Sequence, residues 1–192
     1  MKKFGLLPAA FAIMLVAACG GNKKTAPVAE VIDVNENITD TTVYGKCGES
    51  TAMHTLELIT DKGDTLQYML ENGDTCANVQ GGLFVGDRLA VVGFNDADGI
   101  LVARKVINLT SLLGKWVSLD KNFEIREGGV IVSNVKEPKP YTDWKILNGK
   151  LVMSADTFDV YSLGPDSLYL ENNNGIYGYK RLSVDGADNA IK

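Results

Sequence analysis

The chain has 192 residues, 19 basic and 24 acidic side chains, a formal charge of −5 and a mean hydropathy of zero. That length accommodates one medium or two small domains. The acidic balance repels phosphate backbones and argues against nucleic acid as a partner.

Lys2 and Lys3 form a short basic region, and Phe4 to Ala17 form an apolar run of about fourteen residues. The run is shorter than the roughly 20 residues a membrane-spanning helix needs and fits a secretory signal peptide. It ends in Val16-Ala17-Ala18-Cys19, the lipobox pattern of bacterial lipoproteins. Small residues there let a peptidase reach the backbone, and the cysteine sulfur takes a diacylglycerol. Residues 1–18 therefore read as a leader, and Cys19 reads as a lipid attachment site. Two or three acyl chains such as palmitate hold a protein durably on a membrane, at roughly 0.8 kcal/mol per buried CH₂. Position +2 is Gly20 rather than aspartate, which favours the outer membrane. Gly20 to Lys24 carries no acidic cluster, which favours a periplasm-facing chain over a surface-exposed one.

Removing Lys2 and Lys3 leaves 17 basic against 24 acidic residues, a formal charge of −7. Cys47 and Cys76 are then the two cysteines not committed to lipid. An even pair in an oxidising compartment suggests a disulfide, with two buried thiols as the alternative. Residues 19–40 show no sustained periodicity and read as a flexible tether. At the end of the tether, Asp40-Thr41-Thr42 resembles the Asp-Ser/Thr-aliphatic O-glycosylation motif of gut Gram-negative anaerobes, with Thr41 the candidate acceptor. A turn or strand start is the competing reading.

From residue 41 onward, β signals dominate. "MHTLELIT" alternates with His54, Leu56 and Leu58 on one face, Asp61-Lys62-Gly63-Asp64 is a turn, and "TLQYML" alternates again. "ENGDTCANVQGG" reads as a loop, followed by the strands "DRLAVVGF" and "ILVARKVINL" around a turn at 95–99. Five strands with a longer third connection, within residues 41–109, suggest a small OB-like barrel. Its five basic and nine acidic residues argue against oligonucleotide binding. In residues 110–183, "FEIREGGVIVSNV" is a hairpin around Gly128-Gly129. "DWKILNGKLVM" is a second, with Asn148-Gly149 as a type I′ turn. "FDVYSLGPDSLYLENNNGIYGYKRL" supplies three more strands, and residues 184–192 read as a loose tail. The fold class expected is all-β, a five-stranded OB-like barrel followed by a small antiparallel barrel.

"LLGKWVSLD", "NFEIREGG", "YTDWKILNGKLVMSADTFDV" and "LGPDSLYLENNNGIYGYKR" resemble the lipocalin-like domain of lipoproteins from gut Gram-negative anaerobes, over about Ser111 to Arg181. "VYGKCGES" and "VQGGLFVGDRLAVVG" are similar to the N-terminal part of the same group. The resemblance implies an antiparallel barrel in which Trp116, of Gly114-Lys115-Trp116, closes the floor under a basic side chain from the last strand. Arg181 is the candidate for that side chain. Trp116, Phe123, Trp144, Ile146, Phe158 and Val160 compete for inward positions, so a filled barrel is expected over an open one. If a ligand is carried, Trp144 and Phe158 are the candidates to line its site.

Little points to catalysis. His54 is the only histidine and reads as a packed or strand-end residue. No Gly-x-Ser-x-Gly elbow, phosphate-binding loop or dinucleotide fingerprint is present. Asn95 to Gly99 lacks the downstream glutamate of a calcium loop. The expectation is a lipid-anchored envelope protein that is not an enzyme and uses no metal or cofactor. It would bind a small apolar or glycan-derived ligand or a partner protein, or serve as a scaffold.

Overall fold

The computed structural model describes residues 39–182 except 73, 74 and 77, with the side chains of 72–77 also outside the description. The leader, Cys19, most of the tether and the tail lie outside the described residues. The described residues fall within one compact unit.

Its first half is a mixed sheet. β1 (Val43–Cys47), β2 (Thr55–Thr60) and β3 (Thr65–Met69) form a meander, and β7 (Arg88–Asn95) and β8 (Leu101–Asn108) form a hairpin. β1 pairs with β7, and a parallel contact of Met69 with Val102 joins β3 to β8. These five strands close into a small barrel through that one contact, and a sixth strand makes the whole a six-stranded mixed sheet rather than the five-stranded one expected. Alternation works as anticipated in β2, where Leu56 and Leu58 are fully buried and Glu57 is not. His54 falls just before this strand and is exposed, with its Nδ1 2.9 Å from Glu71 Oε2. The stretch read as a loop instead holds β4 (Glu71–Asn72), β5 (Thr75–Cys76) and β6 (Asn78–Gln80), the last parallel to β8. Strands of two or three residues are too short to show a period.

The second half starts with a single helical turn, α1 (Leu109–Leu112), whose N-cap Asn108 accepts from Ser111 N at 2.9 Å. Asn108 is fully buried, and its amide donates to Gly81 O, Gly82 O and Asp87. Gly81 is required here: its φ is +88°, and a Cβ would lie 2.8 to 2.9 Å from Asn108, Leu163 and Ser111. Eight antiparallel strands follow: β9 (Gly114–Val117), β10 (Asn122–Arg126), β11 (Val130–Ser133), β12 (Trp144–Leu147), β13 (Lys150–Met153), β14 (Asp156–Leu163), β15 (Ser167–Asn172) and β16 (Gly175–Arg181). Each pairs with its neighbour in the chain except β11 and β12, and β16 returns to β9. A bridge from Val130 to Asp143 brings β11 and β12 together, so the sheet is a nearly closed up-and-down barrel. Asn148 (φ 49°) and Gly149 (φ 75°) take the left-handed pair of conformations that the Asn-Gly turn was expected to adopt.

The barrel is solid. Trp116, Phe123, Phe158, Leu151, Met153 and Leu170 fill its interior at 0 to 2% exposure. Phe123 makes edge-to-face contacts with Tyr141 and Tyr179 at centroid distances of 5.7 and 5.1 Å. The two barrels also share a wall. Leu89 and Val91 of β7 belong to the first core, while Ala90 between them belongs to the second. In β8, Val106 faces the first core and Ile107 faces the second.

Candidate functional site

Trp116 and Arg181 are brought together. Register pairs them directly across β9 and β16, and the Arg181 guanidinium carbon lies 4.2 Å from the centroid of the Trp116 ring system. Such stacking contributes about 0.5–2 kcal/mol. The guanidinium also donates to the carbonyls of Leu113 (2.7 Å), Ser111 and Pro165, tying the end of α1 and the β14–β15 turn to the last strand. Trp116 Nε1 donates to Leu112 O at 2.9 Å. Burial pushes the Arg181 pKa down from its ordinary value, and Asp166 opposes that shift. The Gly-x-Trp glycine has a steric reason. Gly114 has φ +132°, and a Cβ there would stand 2.5 Å from Arg181 Nη1.

Phe158 and Trp144 are separated. Phe158 is sealed in the core, edge-on to Tyr141 (6.4 Å) and Tyr177 (5.8 Å). Its strand parity points it inward among Leu151, Met153 and Leu170, so it does not line the groove that Trp144 lines. Burial is also what pushes the Tyr141 hydroxyl up to about 12, with Asp156, Tyr177 and Glu137 adding to the effect.

Trp144 instead sits half-buried at the start of β12, its indole N–H held by Arg126 O at 2.8 Å. It lines a groove of about 460 Å³ between the two barrels. Tyr44 of β1 and Arg88 of β7 form one wall. Leu109, Thr110 and Leu113 of the α1 segment form the floor. The Glu127–Gly129 turn and Trp144 to Ile146 form the other wall. Tyr44 crosses the junction, its hydroxyl donating to Ile146 O at 2.8 Å. Burial raises the Tyr44 pKa, Asp40 adds to the rise, and Arg88 opposes it. Arg88 is held by both carboxylate oxygens of Asp61, with Nη2 to Oδ2 at 2.6 Å. This bidentate pair holds the Asp61 carboxyl below its usual value. The sequence reading missed Tyr44 and Arg88, because nothing local links β1 or β7 to β12, far along the chain from both.

The start of the first barrel is stapled to the second. Thr41 N and Oγ1 both donate to Asn148 Oδ1 at 2.8 Å, Asn148 N donates to Asp40, and its amide donates to Thr39 O. Thr41 is exposed, and its hydroxyl is engaged with Asn148. The expected Cys47–Cys76 disulfide is not shown, and the side chain of Cys76 lies outside the described residues. Cys47 is a free thiol, 2% exposed in the first core, with Sγ 3.4 Å from Thr51 Oγ1. Among the described residues, no group of three His, Cys, Asp or Glu could hold a metal ion, and no helix is long and apolar enough to cross a membrane.

Residues 108–156 match a protein-family model described as lipocalin-like. The match runs from the N-cap of α1 through β13 to the first residue of β14, and so includes Gly114, Trp116 and Trp144. No curated protein and no solved structure matches the chain. A lipocalin-like domain suggests ligand binding or a scaffold role, and such folds typically bind rather than catalyse.

Proposed function

We propose that this protein is a non-enzymatic envelope lipoprotein, held on the outer membrane by acyl chains on Cys19. In this reading it binds a small ligand in the groove between its barrels, not inside the lipocalin-like barrel. One observation carries the reading: a groove of about 460 Å³, faced by two aromatic rings and aliphatic side chains, lies beside a barrel whose core is packed with large buried side chains. Ligand sites generally occupy about 300–1,000 Å³, are mostly apolar and favour domain junctions. The lipobox at 16–19 supports the anchor, and Gly20 in place of aspartate after it supports the compartment.

Native mass spectrometry of the protein purified from its own envelope tests the ligand. A retained small molecule that is lost in Trp144→Ala is the expected result. A bare protein would favour a scaffold, which the solid barrel and the exposed outer residues Tyr161 (59%), Tyr169 (43%) and Ile176 (56%) would then serve. The anchor is tested by fatty-acid labelling, which Cys19→Ser should abolish.

A further inference from the structure

The polar groups lining the groove are already committed within the protein. Arg88 is neutralised by Asp61 through two hydrogen bonds. Tyr44 spends its hydroxyl proton on Ile146 O, and Trp144 spends its N–H on Arg126 O. Thr110 Oγ1 accepts from Arg88 N at 2.9 Å. The charges left are Lys145 and Glu127, both exposed and opposite in sign. Lys145 also lies within electrostatic reach of Asp40. Burial pushes that carboxyl up, but hydrogen bonds from Thr42 and Asn148, with Lys145 adding, bring it below its usual value.

A charged head group entering this groove would shed water and meet no unpaired buried counter-ion. That transfer is unfavourable, and attraction from the exposed rim charges is weak and screened by salt. An uncharged molecule has no such penalty and gains by covering the apolar surface that Leu113 and the two half-buried rings, Tyr44 and Trp144, still expose. Resting on the groove as the ligand site, we propose that it selects uncharged ligands with a flat apolar body, of the size of one or two fused rings or a short chain, and discriminates against their ionised counterparts.

Two probes of nearly the same shape separate the possibilities: uncharged phenylnaphthylamine and its sulfonated relative, anilinonaphthalene sulfonate. Each is titrated into the full chain carrying Cys19→Ser, so that the protein's own acyl chains do not take up the dye. Fluorescence enhancement and energy transfer from tryptophan are the readouts. The uncharged probe should bind with one-to-one stoichiometry and show little change in affinity with salt. The sulfonate should bind about tenfold more weakly. Trp144→Ala should cost the uncharged probe about tenfold in affinity, while Leu119→Ala, at a fully exposed apolar residue on the β9–β10 turn, should leave it unchanged. Equal or tighter binding of the sulfonate, still lost in Trp144→Ala, overturns the selectivity and leaves the groove standing. Failure of both probes to bind, or binding that survives Trp144→Ala, overturns the groove itself.

Discussion

The five-stranded barrel closes through a single parallel contact, Met69 with Val102, and the eight-stranded one is brought near closure by a single bridge, Val130 with Asp143, but its first and last strands are also paired and locked by Arg181 over Trp116. The first also gives up one face of β7 and β8 to its neighbour, so Ala90 and Ile107 complete a core that is not their own barrel's. The eight-stranded barrel lends nothing comparable back to the first core. The difference teaches that these are not two beads on a string. The smaller barrel has a core of its own and also supplies part of the wall of its neighbour's core.

The strongest test of that asymmetry is Trp116→Ala. Deleting the floor of the solid barrel should cost about 3–5 kcal/mol, and chemical denaturation should show both halves unfolding in one shifted transition. Two separate transitions would break the shared-wall picture. Arg181→Lys sharpens the closure half of the comparison. It keeps the charge but loses the planar stack and the fork that reaches three carbonyls, a loss of about 1–3 kcal/mol; a midpoint unchanged in denaturant would make the stack ornamental. Tyr44→Phe probes the seam between the barrels. It removes the bond to Ile146 O at an estimated cost of about 0.5–1.5 kcal/mol, and hydrogen exchange should speed up at β12 more than at β2.

The smallest effect is electrostatic and depends on pH. Asp159 on β14 accepts from Lys105 on β8 at 3.4 Å and from Lys150 at 2.7 Å. Burial pushes its pKa up, but the two lysines outweigh that and hold it below the ordinary value. A carboxyl depressed in the folded state stabilises above its unfolded pKa and loses that contribution as pH falls through the folded one. Asp159→Asn should therefore cost up to about 1 kcal/mol at neutral pH and almost nothing once the medium is acidic enough to protonate the wild-type side chain. An equal penalty at both pH values would mean packing, not charge.

Much of the fold was legible along the chain. The Asn148-Gly149 turn, the hairpin at Gly128-Gly129 and the alternation of Leu56 with Leu58 are written in adjacent residues. The continuous apolar run "LAVV" in β7 was also a readable sign of a strand buried on both faces, although it did not reveal which neighbour covers the second face. β4 to β6 were not legible because so few residues carry no period. Trp144 and Phe158 looked equivalent in the sequence, yet one lines a groove and the other is sealed in a core.

Turn chemistry and a two-residue period act between near neighbours, so the sequence by itself determined the longer strands and the hairpins, while the pairing of Trp116 with Arg181 was implied by the family resemblance. The groove, the shared wall and the burial of the Cys47 thiol were decided only by the tertiary structure. Each depends on side chains from distant segments, as with Tyr44 and Ile146, meeting across packed surfaces that no local pattern encodes.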